Sequence, residues 1–392
     1  MKRLFDFNEV INREFSNSLK YDARKSVFGT PNVIPLWVAD MDFASPPGVR
    51  NALLQRSNHP IYGYSNFPES IYEALIDWFN RRHGWSIERD WIVLSPGVVT
   101  SLHAAVLAFT NPEDAVIVQP PVYFPFFSAV NELGRSLINN PLRLKDGQYQ
   151  IDFEHLETCA SNAKMLLLCS PHNPVGRVWR AEELKQLLSI AEKHDLIIVS
   201  DEIHADLVYL PVVFQSLQKI SNVRKNIITA VAPSKTFNIP GLNLSALIIP
   251  EIAQREAVNT IFKKMAINLA NPFSMVAFEA AYQEGDIWLD ELLEYLQETR
   301  NFVIEYIKDN LFPIQASAPE ATYLIWLDCR DMGLDDTSLQ NFFTYKAGVG
   351  LSPGLIFGDA GSGFMRMNIA APKSIIMDAL LRITAALRLH TK

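Results

Sequence analysis

APSKTFNIPGLNLSALII, residues 232–249, sets a lysine with a polar residue on each side, Ser234 and Thr236, between two apolar runs: Ile227–Val231 before it and Ala246–Ile249 after it. A lysine in a polar loop is ordinarily a solvated one. A lysine at the end of a buried strand, partly shielded from water, can instead use its amine chemically as a Schiff-base former. The reading of Lys235 depends on what the rest of the chain places around it.

On either side of this stretch, between about residues 90 and 250, short apolar runs alternate with helical patterns: WIVL, AVIVQ, KMLLLCS, LIIVSD, NIITAV and SALIIP. Between several of them lie stretches such as GVVTSLHAAVLAF and AEELKQLLSIAEKHD, the latter repeating Leu184, Leu187, Leu188 and Ala191 at helical spacing. That alternation predicts an α/β core, a mostly parallel sheet covered by helices. After Glu284–Asp286 a long amphipathic run from Ile287 to about Asn310 leads to TYLIWLD, a helix near residues 337–347, FMRMNIA and a final helix, which predict a second, smaller α+β unit. No repeat, low-complexity tract or linker separates the two, so a large shared interface is expected.

Composition limits the functions. The chain has 392 residues, 48% hydrophobic and 20% charged, ordinary values for a folded protein with a sizeable core. Acidic residues outnumber basic ones 43 to 35, a net charge of −8, and no basic cluster is present, so a nucleic-acid surface is not expected. The three cysteines, Cys159, Cys169 and Cys329, match neither a disulfide framework nor a zinc ribbon; a reducing, cytoplasmic setting without a bound metal is expected. The opening MKRLFDFNEVINREF has no apolar core behind its basic residues, and no apolar run approaches a membrane span.

Three polar clusters stand at the carboxyl ends of predicted strands, where open α/β sheets place their ligands: CSPHNPVG, SDEIHADL and APSKTF. Singly, each is readable as turn and cap chemistry. In this order and spacing, together with SPGVVTSL, HNPVGRVW, SKTFNIPGL and FMRMN, they resemble the fold-type I pyridoxal-phosphate enzymes of the class I/II aminotransferase superfamily over nearly the whole chain. PLWVADMDF, IYGYSNF, DEIHADL and SKTFNIPGL resemble, within it, the branch of cystathionine β-lyases and cysteine-S-conjugate lyases. The resemblance implies a large domain, residues 48–286, with a mostly parallel seven-stranded sheet between helices, and a small α+β domain made by residues 1–47 together with 287–392.

The same resemblance implies roles. Lys235 corresponds to the lysine that joins the cofactor aldehyde and moves the Cα proton, and Asp201 to the carboxylate that keeps the pyridinium nitrogen protonated. Tyr123, counted with these two as catalytic, corresponds to the aromatic stacked on the ring, and Asn173 to the amide on the ring hydroxyl; both also lie against the substrate. Gly97, Val98 and Val99, at the start of the helix after WIVLSP, would hold the phosphate with their N–H groups, Ser234 adding a hydroxyl. Tyr64 corresponds to a tyrosine given to the phosphate across a homodimer interface, so that the active sites are shared. Arg366 would take the substrate α-carboxylate in a two-pronged grip, with Ala39 contributing backbone contact.

Three positions depart from the wider superfamily: His204 where a tyrosine is common, Asn243 where a phosphate-binding arginine is common, and Ala232 where a small hydroxyl residue is common. His204 belongs in the lyase branch; either a place near the ring hydroxyl or a purely structural one fits it. The implied activity is a pyridoxal 5′-phosphate-dependent β-lyase that cleaves L-cystathionine or a related cysteine thioether to a thiol, pyruvate and ammonia, in amino-acid metabolism and specifically methionine biosynthesis. The alternatives are an aminotransferase, which begins with the same Cα deprotonation, and a regulatory or binding protein that keeps the fold.

Overall fold

The structure, a computed structural model, describes residues 3–221, 225–267 and 270–390. Its centre is a seven-stranded sheet of β1 (Ile92–Ser95), β2 (Ala115–Val118), β3 (Ser136–Asn139), β4 (Met165–Cys169), β5 (Ile197–Asp201), β6 (Ile227–Val231) and β7 (Ser245–Ile248), in the order β1-β7-β6-β5-β4-β2-β3. All neighbours run parallel except β7, which is antiparallel to both β1 and β6. Six of these strands are the six predicted apolar runs. The seventh, β3, reads SLIN at the sheet edge with both ends exposed, so it carries no apolar run to announce it.

The inner strands are apolar throughout because each face is covered. Met165, Leu167 and Cys169 of β4 pack with helices α3 (Val98–Phe109) and α5 (Ile252–Lys264), whereas Leu166 and Leu168 pack with α4 (Ala181–Lys193) on the opposite face. Alternate residues thus serve alternate layers, both dry. Helices α1 (Pro47–Asn58) and α2 (Glu69–His83) pack on α6 (Pro272–Glu284).

A four-stranded antiparallel sheet, β8 (Gln315–Ala316), β9 (Leu324–Asp328), β10 (Ser352–Pro353) and β11 (Phe364–Asn368), has the order β8-β9-β11-β10. It is accompanied by α7 (Asp286–Asn310) and α8 (Lys373–His390). The predicted helix near 337–347 is an α-helix, Asp336–Asn341, continued by a π-helical turn, Phe342–Ala347. One apolar cluster runs from Trp78 and Phe237 through Trp288 and Tyr295 to Leu324 and Ile376, joining the elements around both sheets into a continuous core. Ile34–Pro35 pairs in parallel with Val349–Gly350, which carries the following segment, residues 36–43, across the carboxyl ends of the large-sheet strands.

Candidate active site

Strands β4, β5 and β6 are adjacent and in register, with Cys169 opposite Asp201 and Asp201 opposite Ala230. Each polar cluster begins where its strand ends, so all three emerge on one edge of the sheet. Asn173 lies in the turn after β4, and Gly176 closes that turn with φ +71°; a Cβ there would stand 2.3 Å from Pro319 Cβ, so both the backbone conformation and the space require glycine. Asp201 ends β5, and Lys235 follows β6 in the turn that precedes a short 3₁₀ helix, Pro240–Leu242.

Lys235 is half-buried, and its Nζ donates to the Ala39 carbonyl at 2.8 Å. Burial lowers its pKa to about 8; Asp40 acts against that fall, Arg366 adds to it and Asp201 opposes it. The amine is therefore neutral far more often near neutral pH than a surface lysine would be. Asp201 is buried, with Oδ1 accepting one backbone N–H, from Ile203 at 3.1 Å. Burial pushes its carboxyl up to about 7, against the pull of the Ile203 N–H and Lys235.

Arg366, on β11 of the smaller sheet, is 5% exposed. Nη1 donates to Asn173 Oδ1 at 3.0 Å, while Nη2 donates to the Trp37 carbonyl at 2.9 Å and to Ser352 Oγ at 3.3 Å. Its Nε has no partner, and among the described residues no carboxylate pairs with it. Burial pulls its pKa down to about 10. A buried guanidinium surrounded by neutral acceptors is a site that favours an arriving anion.

Tyr123 is half-buried above this cluster, its N–H donating to the Asn173 carbonyl at 3.2 Å; burial raises its phenol pKa, with Arg366 lowering it and Asp201 raising it. Phe126 in the same run is fully buried core. Because Asn173 Oδ1 is engaged by Arg366, its Nδ2 is the part of that side chain left to donate elsewhere. His204 is 3% exposed, with Nδ1 unpartnered, and burial, with the positive charges of Lys235 and Arg366, lowers its pKa to about 3. It is a neutral imidazole in this surrounding.

Helix α3 begins at Val98 with Gly97 as its cap residue, and the first intrahelical bond runs from the Ser101 N–H to the Gly97 carbonyl at 3.0 Å. The N–H groups of Val98 and Val99 precede that bond and point out of the helix start, where the helix dipole favours an anion. No heavy atom lies within 4 Å of where a Cβ on Gly97 would be, so the space before the helix is open. Ser234 is partly exposed beside Lys235. Tyr64 is not part of this cluster; it is fully exposed, at 102%. Asn243 is exposed in a left-handed conformation at the end of the 3₁₀ helix, and Ala232 is absorbed into the apolar layer between sheet and helices.

Sequence reasoning passed over several residues that the fold brings here. Tyr323, just before β9, is buried and donates from its hydroxyl to the Ala39 carbonyl at 3.0 Å, so it shares an acceptor with Lys235. The preceding Thr322 has φ +70°, an uncommon conformation for a β-branched residue, which aims Tyr323 into the cluster. Ser352 joins the Trp37 carbonyl, from the segment that carries Ala39 and that the sequence already brings to this place, in the grip on Arg366. Nothing in TYLIWLD distinguishes Tyr323 from a core tyrosine.

The donor set suits a pyridoxal phosphate. A buried, uncompensated carboxylate answers a protonated ring nitrogen, an amine of lowered pKa answers an aldehyde, and a helix start before open space answers a phosphate. Comparison with known proteins agrees. The family model for "Aminotransferase class I and II" matches residues 31–383. Cystathionine beta-lyase PatB of Bacillus subtilis is 42% identical over 97% of this chain and 100% of its own. The crystal structure of cystalysin from Treponema denticola, which contains a pyridoxal 5′-phosphate cofactor, superposes with a TM-score of 0.95 at 38% identity, covering 98% of this chain and 99% of that one. The PLP-bound C-S lyase from Staphylococcus hominis gives a TM-score of 0.92 at 34% identity, with 98% of each chain covered.

Proposed function

We propose, for a chain that belongs to the class I and II aminotransferase family, that the reaction is carbon–sulfur β-elimination from L-cystathionine or a related cysteine thioether, giving a thiol, pyruvate and ammonia with consumption of one water. The observation that carries the reading is the convergence of the half-buried Lys235 amine, the buried Asp201 carboxylate and the buried Arg366 guanidinium at the carboxyl edge of the large sheet, none of them in an ion pair among the described residues. Pyridoxal 5′-phosphate, when bound, supplies an aldehyde for the substrate amine and a ring that accepts the electron pair released from Cα.

The protein's residues do the rest. Asp201 holds the ring nitrogen protonated, the buried carboxylate gaining the cation it otherwise lacks. Val98 and Val99, at the Gly97 turn, take the phosphate on their N–H groups, and Ser234 adds its hydroxyl. Asn173 would donate from Nδ2 to the cofactor's ring hydroxyl, with neutral His204 close to Asn173's cluster, and Tyr123 would offer its aromatic face to the ring. Arg366 gives its guanidinium to the substrate α-carboxylate, aided by the backbone around Ala39. Lys235, neutral in useful amount near pH 7, takes the Cα proton and then carries it as an ammonium beside the departing sulfur, which leaves as a thiolate and needs little help.

The exposure of Tyr64, with Ile61 and Tyr62 also exposed beside it, supports a homodimer in which this segment reaches the partner's phosphate site. The three free, buried cysteines support a reducing, cytoplasmic setting for an enzyme acting on a small amino acid; among the described residues no helix is long and apolar enough to cross a membrane. The proposed domains are residues 48–286 around the large sheet and 1–47 with 287–392 around the small one.

The test is to incubate the cofactor-loaded protein with cystathionine, cysteine and several S-substituted cysteines, and to measure pyruvate, ammonia and keto acids separately. Stoichiometric thiol, pyruvate and ammonia is the expected outcome. Keto acid that retains the sulfur substituent, without thiol, would make the protein a transaminase, and no product from any substrate would remove the catalytic reading.

A further inference from the structure

Residues 37–42 cross the mouth of the site, and their carbonyls are held by the site's own side chains. Trp37 accepts from Arg366, Ala39 from Lys235 and Tyr323, and Asp40 from Asn368 Nδ2 at 2.6 Å. What anchors this crossing segment from outside is a closed group of two cations and two carboxylates that the proposed mechanism does not use. Arg13 takes both oxygens of Asp40, Nη1 to Oδ1 at 2.9 Å and Nη2 to Oδ2 at 2.7 Å, and also reaches Asp42 Oδ1 at 2.6 Å. Lys20, wholly buried, donates to Asp42 Oδ2 at 3.0 Å and stands 3.6 Å from Asp40 Oδ1; the Tyr21 hydroxyl donates to Asp42 Oδ2 at 3.2 Å. Both cations come from the N-terminal segment, far from the site in sequence.

We propose that Arg13 and Lys20 are positioning residues for Lys235: by neutralising Asp40 and Asp42 they fix the crossing segment so that the Ala39 carbonyl meets the lysine amine, and they set how much of the Asp40 charge that amine feels. The inference rests on the reading of Lys235 as the reactive amine. A fully buried lysine is held at high desolvation cost and persists only where its partners are complete, as they are here. The geometry also divides the work on one acceptor. Lys235 has to leave the Ala39 carbonyl to react, and Tyr323, with the Arg13–Lys20 group, keeps that carbonyl in place meanwhile.

The groups facing Lys235 are Asp40 from the crossing segment, Arg366 from β11, Asp201 and His204 at and after the end of β5, and Tyr323 before β9. Of these charges only Asp40 is set by the N-terminal segment. Arg13→Met removes a cation and leaves Asp40 with Lys20 alone, at 3.6 Å, which favours the lysine ammonium; Asp40→Asn removes the anion and leaves the cations with Asp42 alone, which disfavours it.

The experiment follows the pH dependence of Lys235 labelling by trinitrobenzenesulfonate, read by peptide mass, on the full chain stripped of cofactor, with circular dichroism to check the fold. The labelling midpoint should move up by about one pH unit in Arg13→Met and down by a similar amount in Asp40→Asn, the scale of one nearby charge gained or lost. Arg13→Lys, which keeps charge without the two-pronged grip, should lie between wild type and Arg13→Met, and serves if the methionine variant does not fold. A segment that merely loosens would admit water in both variants and move both midpoints upward; that result, or no movement in either, overturns the proposal. If the midpoints move in opposite directions while the loaded wild type releases no pyruvate, it is the lyase reading that fails. Unmoved midpoints with a working lyase reject only the role given to Arg13 and Lys20.

Discussion

Replacing Asp201 by asparagine should make the cofactor-free protein more stable while it destroys the enzyme. The carboxyl has an ordinary pKa of 3.8 and one of about 7 in the fold, raised by burial and only partly relieved by the Ile203 N–H and Lys235. An unfolded chain gives up this proton near pH 4, and the folded chain near pH 7. Between those values the folded state holds the extra proton, so stability falls as pH rises, and above pH 7 the whole cost is present. At about 1.4 kcal/mol for each of the roughly three pH units, that cost is about 4 kcal/mol, or about 2–4 once local relaxation and water entry are allowed for. Asparagine is nearly the same shape, and its Oδ1 can still accept the Ile203 N–H. Urea unfolding of both cofactor-free proteins at several pH values measures the difference, and Glu202, whose carboxyl burial also raises to about 7, is common to both and cancels. The asparagine variant should lead by this margin at pH 8 and lose its lead by pH 4, while pyruvate production falls sharply because an amide does not hold a ring nitrogen protonated. A variant that is less stable at pH 8, or a difference that ignores pH, would refute the account of Asp201 as a buried charge awaiting a cationic partner.

Lys235→Ala should abolish pyruvate release and the visible absorbance of lysine-bound cofactor with an unchanged circular dichroism spectrum; residual turnover within tenfold of wild type would place the reactive amine elsewhere. Arg366→Lys keeps the charge but loses the fork that now bonds Asn173, Trp37 and Ser352, so amino-acid affinity should fall about 10–100-fold, the worth of one or two charge-assisted hydrogen bonds, with cofactor affinity little changed. Tyr64→Phe should weaken cofactor binding by about 1.5–3 kcal/mol. Mixing that variant with Lys235→Ala should restore part of the activity through hybrid dimers that carry one intact site, whereas no recovery after demonstrated subunit exchange would confine Tyr64 to its own chain or to no site.

The large sheet was legible because its strands are buried on both faces. Such strands read as unbroken apolar runs, and KMLLLCS, LIIVSD and NIITAV became three adjacent parallel strands in that order. The edge strand Ser136–Asn139 was illegible for the converse reason: its ends are exposed and its middle only half-buried, and its four letters look like loop. The long helix was foreseen within one residue of its start, since Asp286 begins it, because a 25-residue amphipathic pattern averages over many turns. The π-helical end of the 337–347 helix had no such signature.

The site was legible to the extent that its residues stand next to the strands that place them. Asp201 ends its strand, and Asn173 and Lys235 follow theirs by a few positions, so locating the strands located the side chains. Arg13, Lys20, Asp40 and Tyr323 have no such tie. Their meeting depends on how the N-terminal segment and the four-stranded sheet come to rest on the large one, a consequence of the whole core rather than of any local pattern. Tyr323 is the sharpest instance: its letter lies in a strand-like run, and its function as a donor to Ala39 depends on a left-handed Thr322 whose backbone energy no propensity favours. Strain of that kind persists only where tertiary packing outweighs it, and here the packing includes the Tyr209 hydroxyl donating to the Thr322 carbonyl and the Thr322 N–H donating to the Leu207 carbonyl. Both partners belong to the segment that follows Asp201 and His204. The turn that aims Tyr323 is thus fixed by the same stretch of chain that carries Asp201, the carboxylate proposed for the ring nitrogen, so a shift of that stretch would disturb the two together.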